Sequence, residues 1–89
     1  MIPLSDLELE LLRAAFHDGA MRVHEGAILM LRSNVTFRGV GSVRAFRSLR
    51  ARSYLKWNGH SVAGGELYGI TDEGRTAYGL LYRDSKPPS

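Results

Sequence analysis

"MRVHEGAILMLRSNVTFRG", residues 21 to 39, decides the architecture of this 89-residue chain, because it admits two readings. Val23, Ile28, Val35, Thr36 and Phe37 favour a pleated surface, while Gly26, Asn34 and Gly39 favour turns, giving short strands broken at "HEG" and "RSN". The alternative is a helix over Glu25 to Arg32 ended by Asn34. The apolar run Ala27 to Leu31 fits either by periodicity alone. Strands are favoured, because Gly26 falls inside the candidate helix and the next clean helix start is Ser42.

On the N-terminal side, Ser5 stands three residues before Glu8, the capping-box spacing, and Leu4, Leu7, Leu11, Leu12, Ala15 and Phe16 recur at helical intervals. The pattern predicts a helix over about residues 6 to 16, with Gly19 suited to its C-cap. On the C-terminal side, Ser42 is a good N-cap, and Val43, Phe46 and Leu49 form a narrow apolar stripe, predicting a helix over about residues 43 to 52. At 100° per residue, Arg44, Arg47, Ser48 and Ala51 lie opposite that stripe, with Arg52 flanking them and Arg50 near the stripe's edge.

Beyond it, "SYLKW" and "ELYGI" are β-prone runs separated by "NGHSVAGG", whose Asn58-Gly59 and Gly64-Gly65 supply turn chemistry for a hairpin. Thr71 then caps a last helix with Asp72 and Glu73 at its positive end and Ala77, Leu80 and Leu81 on an apolar face. Tyr78 and Tyr82 exceed what one core-facing stripe needs. The surplus either closes over the first helix or forms a homodimer patch of Tyr78, Leu81 and Tyr82.

Residues 1 to 84 thus read as one α+β domain and 85 to 89, "SKPPS", as a polar, disordered tail. A domain of this length buries only about 60 to 65% of the surface its unfolded chain exposes, so a thin core and no deep cleft are expected. There are no cysteines, which removes disulfides, thiol nucleophiles and thiolate metal sites and fits a reducing compartment. No apolar run approaches membrane length and the start lacks a basic segment ahead of an apolar one, so a cytoplasmic address with no membrane partner is expected.

Charge is unevenly distributed. The first twenty residues carry −3, residues 21 to 60 carry +7 and residues 61 to 89 carry −1, so the net +3 conceals a strongly basic middle. Such a field concentrates polyanions near the surface that carries it.

The run "SVRAFRSLRARSYLKW", the Gly-rich hairpin and "LYGITDEGRTAY" together resemble the second half of a winged helix-turn-helix domain of the MarR and PadR kind, as in small phage or bacterial regulators. The matching positions are Val43, Phe46 and Leu49 in the recognition helix, Arg52 to Leu55 at its end, and Tyr68, Ile70, Thr71, Gly74 and Arg75 after the wing. Ser53 stands where those families usually have glycine, and residues 23 to 41 do not read as their second helix and tight turn. The resemblance covers about residues 42 to 79. It implies a small winged-helix fold of three helices, or four if residues 25 to 32 are helical, with a C-terminal β-hairpin wing.

It also implies binding of double-stranded DNA, as a transcriptional regulator or an accessory DNA-binding factor. Arg44, Arg47 and Ser48 would then approach base edges in the major groove, Ser42 at the start of that helix would also bind DNA, and Arg38, Arg50, Arg52 and Lys56 would contact phosphates. Arginine suits this because its planar fork pairs bidentately with guanine. Asn58, His60 and Ser61 would let the wing reach backbone or minor groove, while Tyr54 and Trp57 either stack on unpaired bases or pack the hairpin. The alternative function is a winged-helix interaction module whose basic face docks on an acidic protein. His17, His24 and His60 have no metal-ligand spacing, and no nucleophile, triad or phosphate loop is present, so no metal, cofactor or enzymatic activity is expected.

Overall fold

A computed structural model describes the backbone of residues 4–85 and the side chains of residues 4–80. The elements run α1 (Asp6–Asp18), β1 (Ala20–His24), β2 (Ala27–Met30), β3 (Thr36–Arg38), α2 (Val40–Ala51), β4 (Leu55–His60), β5 (Glu66–Ile70) and α3 (Asp72–Ser85). The five strands form one antiparallel sheet in the order β3-β2-β1-β5-β4.

The capping box of α1 forms as its spacing requires: the Ser5 hydroxyl accepts from the Glu8 amide at 3.2 Å, and the Ser5 amide donates to Glu8 Oε1 at 3.0 Å. Gly19 closes the helix in the left-handed conformation, φ 81°. Strands, not a helix, occupy residues 20–38 because two turns break the run. Glu25 and Gly26 both have positive φ, 48° and 75°, the requirement of a two-residue hairpin turn that matches strand twist. Asn34, φ 61°, sits in the next turn, which is tied down by the Asp18 carboxylate. That carboxylate accepts from the amides of Arg32 and Ser33 at 2.9 and 2.8 Å and from the Ser33 hydroxyl at 3.0 Å.

The winged-helix expectation is overturned here. The second helix it needs is replaced by the β1-β2-β3 meander, and the hairpin is no projecting wing: β5 pairs along β1, from Ala20 opposite Gly69 to Val23 opposite Glu66. The sheet lies in the middle of the α-β-α-β-α order, and β4–β5 is one side of it. Alternation then assigns two faces. Met21, Ile28, Met30, Leu55, Tyr68 and Ile70 point inward to meet Leu11, Leu12 and Ala15 of α1, Ala45, Phe46 and Leu49 of α2, and Tyr78 of α3. Each fully buried leucine or isoleucine in this layer contributes about 1.5–3 kcal/mol relative to exposure.

Tyr78 is therefore a core residue, its ring 4.7 Å from that of Phe16, and is withdrawn from the expected dimer patch. The side chains of Leu81 and Tyr82 lie outside the described residues, as do residues 86–89 of the expected tail, while Ser85 belongs to α3. Among the described residues no helix is long and apolar enough to cross a membrane.

The junction of α2, β4 and α3 explains two residues of the family-like pattern. Ser53 takes the left-handed conformation, φ 65°, that glycine usually supplies. The Thr71 amide donates to the Tyr54 carbonyl at 2.9 Å, and the Thr71 hydroxyl caps α3 by accepting from the Gly74 amide at 3.0 Å. This brings the Tyr54 carbonyl against Gly74, where an added Cβ would lie 2.4 Å from that oxygen and 2.8 Å from Ile70 Cγ1. Gly79 of the same helix faces open space. Gly74→Ala is thus expected to destabilise by about 1–3 kcal/mol through overpacking, and Gly79→Ala to stabilise by about 0.5–1 kcal/mol through helix propensity. Urea unfolding of the two variants checks the opposite signs.

Candidate nucleic-acid interface

α2 links β3 at one sheet edge to β4 at the other, and its length fits that task. Twelve residues span about 18 Å, and five strands at about 4.8 Å spacing set their outer members about 19 Å apart. The helix therefore crosses the sheet, and its inward side is fixed by Ser42, Ala45, Phe46 and Leu49. The pole diametrically opposite carries Val40, Arg44, Arg47 and Ala51, all exposed. No acidic residue occurs anywhere in α2.

The helix starts earlier than its serine implies. Gly39, φ 100°, is the N-cap, and Ser42 lies inside the first turn, buried, its hydroxyl donating back to the Arg38 carbonyl at 3.1 Å. Ser42 has no route to a ligand. Ser48 is also committed: its hydroxyl donates to Glu8 Oε2 across the α1–α2 contact. That bond is the main reason the Glu8 carboxyl is held below its ordinary pKa, with smaller help from the Ser5 amide and hydroxyl and from the charge of Arg52. Arg52 thus belongs to the α1 side of the helix. Arg50 lies over the Tyr68 ring, its guanidinium carbon 5.2 Å from the centroid, and Tyr68 in turn meets Phe46 edge-on at 4.7 Å. Burial raises the Tyr68 pKa, an effect that the nearby Arg50 charge partly offsets.

The hairpin residues stand apart from this pole. Lys56 is exposed on the far edge strand. Asn58 is the extra residue of a bulge between Trp57 and Gly59, and its amide covers Gly69, where an added Cβ would lie 2.7 Å from Asn58 Nδ2. His60 meets the half-exposed Trp57 edge-on at 5.4 Å, while Tyr54 packs against the core. Ser61 is occupied within the β4–β5 connection, its hydroxyl accepting from the Ala63 amide at 3.2 Å.

What the fold does bring together is Arg38, Arg44 and Arg47. They line one open groove of about 600 Å³ with Val40, Val43 and, from the β1–β2 turn, Glu25. Among the described residues none of the three guanidinium groups has an ion pair or hydrogen bond, and Glu25 Oε1 lies 3.6 Å from His24 Nε2. Three members escape the sequence reading: Val40, 73% exposed, because the sequence starts the helix at Ser42; Val43, expected in the core stripe but half-buried here, because Ser42 and Ala45 take the inward side; and Glu25, because it arrives from another strand pair. Among the described residues no three acidic or histidine side chains converge to hold a metal ion. Comparison with protein-family models, with characterised proteins and with solved structures finds no match for this chain.

The Glu8–Ser48 contact sets a pH dependence. A depressed carboxyl pKa stabilises the fold above the unfolded value of about 4.3, and that stabilisation is lost as pH falls through the folded pKa. Ser48→Ala is expected to raise the Glu8 pKa, read by NMR titration of its carboxyl carbon, and to make unfolding free energy decline less steeply on acidification below pH of about 4.3.

Proposed function

We propose that this protein binds double-stranded DNA through the outer pole of α2, with Arg44 and Arg47 entering the major groove and Arg38 meeting the adjacent phosphate backbone. The observation that carries the reading is the convergence of three arginines, without ion-pair partners among the described residues, on one open groove. Guanidinium groups left unpaired in this way gain most from an anion, and a regular polyanion answers all three at once.

Shape supports the same ligand. A major groove about 12 Å wide admits an α-helix, and the residues bracketing the arginines on the pole, Val40 and Ala51, are small and uncharged. They allow close approach, and their methyl groups suit contact with the thymine methyl. Arg44 and Arg47, one turn apart, advance about 4.5 Å along the helix, so they address neighbouring base pairs.

Affinity for a duplex should fall with salt with a slope of log K against log salt near −3, from about −0.9 for each of the three arginines, because a guanidinium in the groove displaces condensed counterions as one on a phosphate does. Replacing Arg44 and Arg47 together by alanine should shrink the slope to about −1 and flatten any sequence preference. Arg50→Ala should leave the slope unchanged, because that side chain is held on Tyr68. Fluorescence anisotropy with a randomised duplex from low to moderate salt reads all three; a slope unaffected by the double substitution would remove α2 as the contact.

A further inference from the structure

The sheet face turned away from the helices has its own chemistry. One cross-strand row on it runs Gly59, Leu67, Arg22, Leu29, Thr36, from β4 to β3. The next row contains His24, Ala27 and Arg38, and Lys56 projects from the far edge strand. Leu29 and Leu67 are half-buried, yet neither belongs to the core or to the apolar residues packed on it. Among the described residues no helix covers this face, and its strands contribute no carboxylate, Glu66 being paired with Val23 on the inward side; Glu25 of the β1–β2 turn joins Arg22, Leu29, Thr36 and Arg38 in lining a pocket at one end of it.

We infer that this face docks an acidic amphipathic helix of a partner protein. Two of its apolar residues, seven apart, would rest on Leu67 and Leu29, and its carboxylates would meet Arg22, Arg38 and Lys56. The spacing fits: the two leucines lie two strand intervals apart, about 9.6 Å, and positions i and i+7 of a helix lie about 10.5 Å apart on one side. A helix laid on the open side would complete a third layer over the sheet. Arg22, between the leucines, would then lie under the helix, and its guanidinium, which donates to the Ala63 carbonyl at 3.2 Å, keeps free donors for a carboxylate.

Other occupants fit less well. A second copy stacked about a two-fold axis would set Arg22, Arg38 and Lys56 of each side against a like-charged face, with one lining carboxylate, Glu25, to offset them. A single nucleic-acid strand would find, among the described residues, only the His24 imidazole to stack on, since Phe37, Trp57 and Tyr68 are registered on the inward side. The inference shares Arg38 with the duplex proposal and otherwise rests on different residues, since the duplex proposal uses Arg44 and Arg47 on the outer pole of α2.

The test is an NMR titration of isotope-labelled protein with a synthetic helical peptide of about twenty residues, carrying leucines seven apart flanked by glutamates. Shifts are expected at Arg22, Leu29, Leu67 and Thr36, with affinity about tenfold weaker for Arg22→Glu or for the paired Leu29→Ser and Leu67→Ser variant, and unchanged for Arg44→Ala with Arg47→Ala. Arg22→Glu removes no core side chain, so it keeps the test open if the leucine variant fails to fold. No shift at about millimolar peptide, shifts confined to α2, or equal binding of a peptide whose leucines are replaced by serine would overturn the inference. So would an oligothymidine strand that shifts the same amides more strongly than the peptide.

Discussion

The pairing of β1 with β5 joins segments far apart in sequence, and everything else in the molecule rests on it. Without it there is a three-stranded meander at one end of the chain and a two-stranded hairpin at the other, each a marginal structure in water. With it, Met21 stands beside Tyr68, and the inward side chains of all five strands form one apolar floor. Only such a floor is wide enough for α1 and α2 together, and α3 closes over α1 through Tyr78 and Phe16.

That floor also orients the charge. α2 is held by Ala45, Phe46 and Leu49, so its rotation about its own axis is fixed by apolar burial and not by its arginines. The flanks of the helix are then spent on contacts within the fold: Ser48 on Glu8, Arg50 on Tyr68. Only the pole opposite the core remains for a ligand, and Arg38, delivered by the neighbouring strand, extends it around the β3 edge. A run that is evenly basic in sequence becomes, in the fold, a small patch with committed flanks.

Local signals were legible where a short-range physical cause acts. The Ser5–Glu8 capping box, the αL cap at Gly19, the turn at Glu25-Gly26 and the Thr71 cap all act within a few residues, and each is where the sequence places it. The same is true of Arg44 and Arg47, whose position follows from helical angle alone. What the sequence pattern hid are contacts between distant segments: β5 on β1, which replaces a projecting wing by a sheet, and Glu8 on Ser48. Ser42 shows a subtler failure. A serine before an apolar run has the look of a cap, but Gly39 supplies the positive φ that starts the helix one turn earlier and carries Ser42 into the interior.

The bulge at Asn58 has a consequence for solubility. An antiparallel sheet with two open edges is a template on which further molecules can add strand by strand. Here one edge, β3, is only three residues long and ends at Arg38 and Gly39. The other, β4, carries Lys56 and then loses its regular register at the bulge, so an incoming strand meets a break and a charge where it would need an unbroken ladder. The residue that fills the space over Gly69 thereby also limits growth of the sheet beyond one molecule.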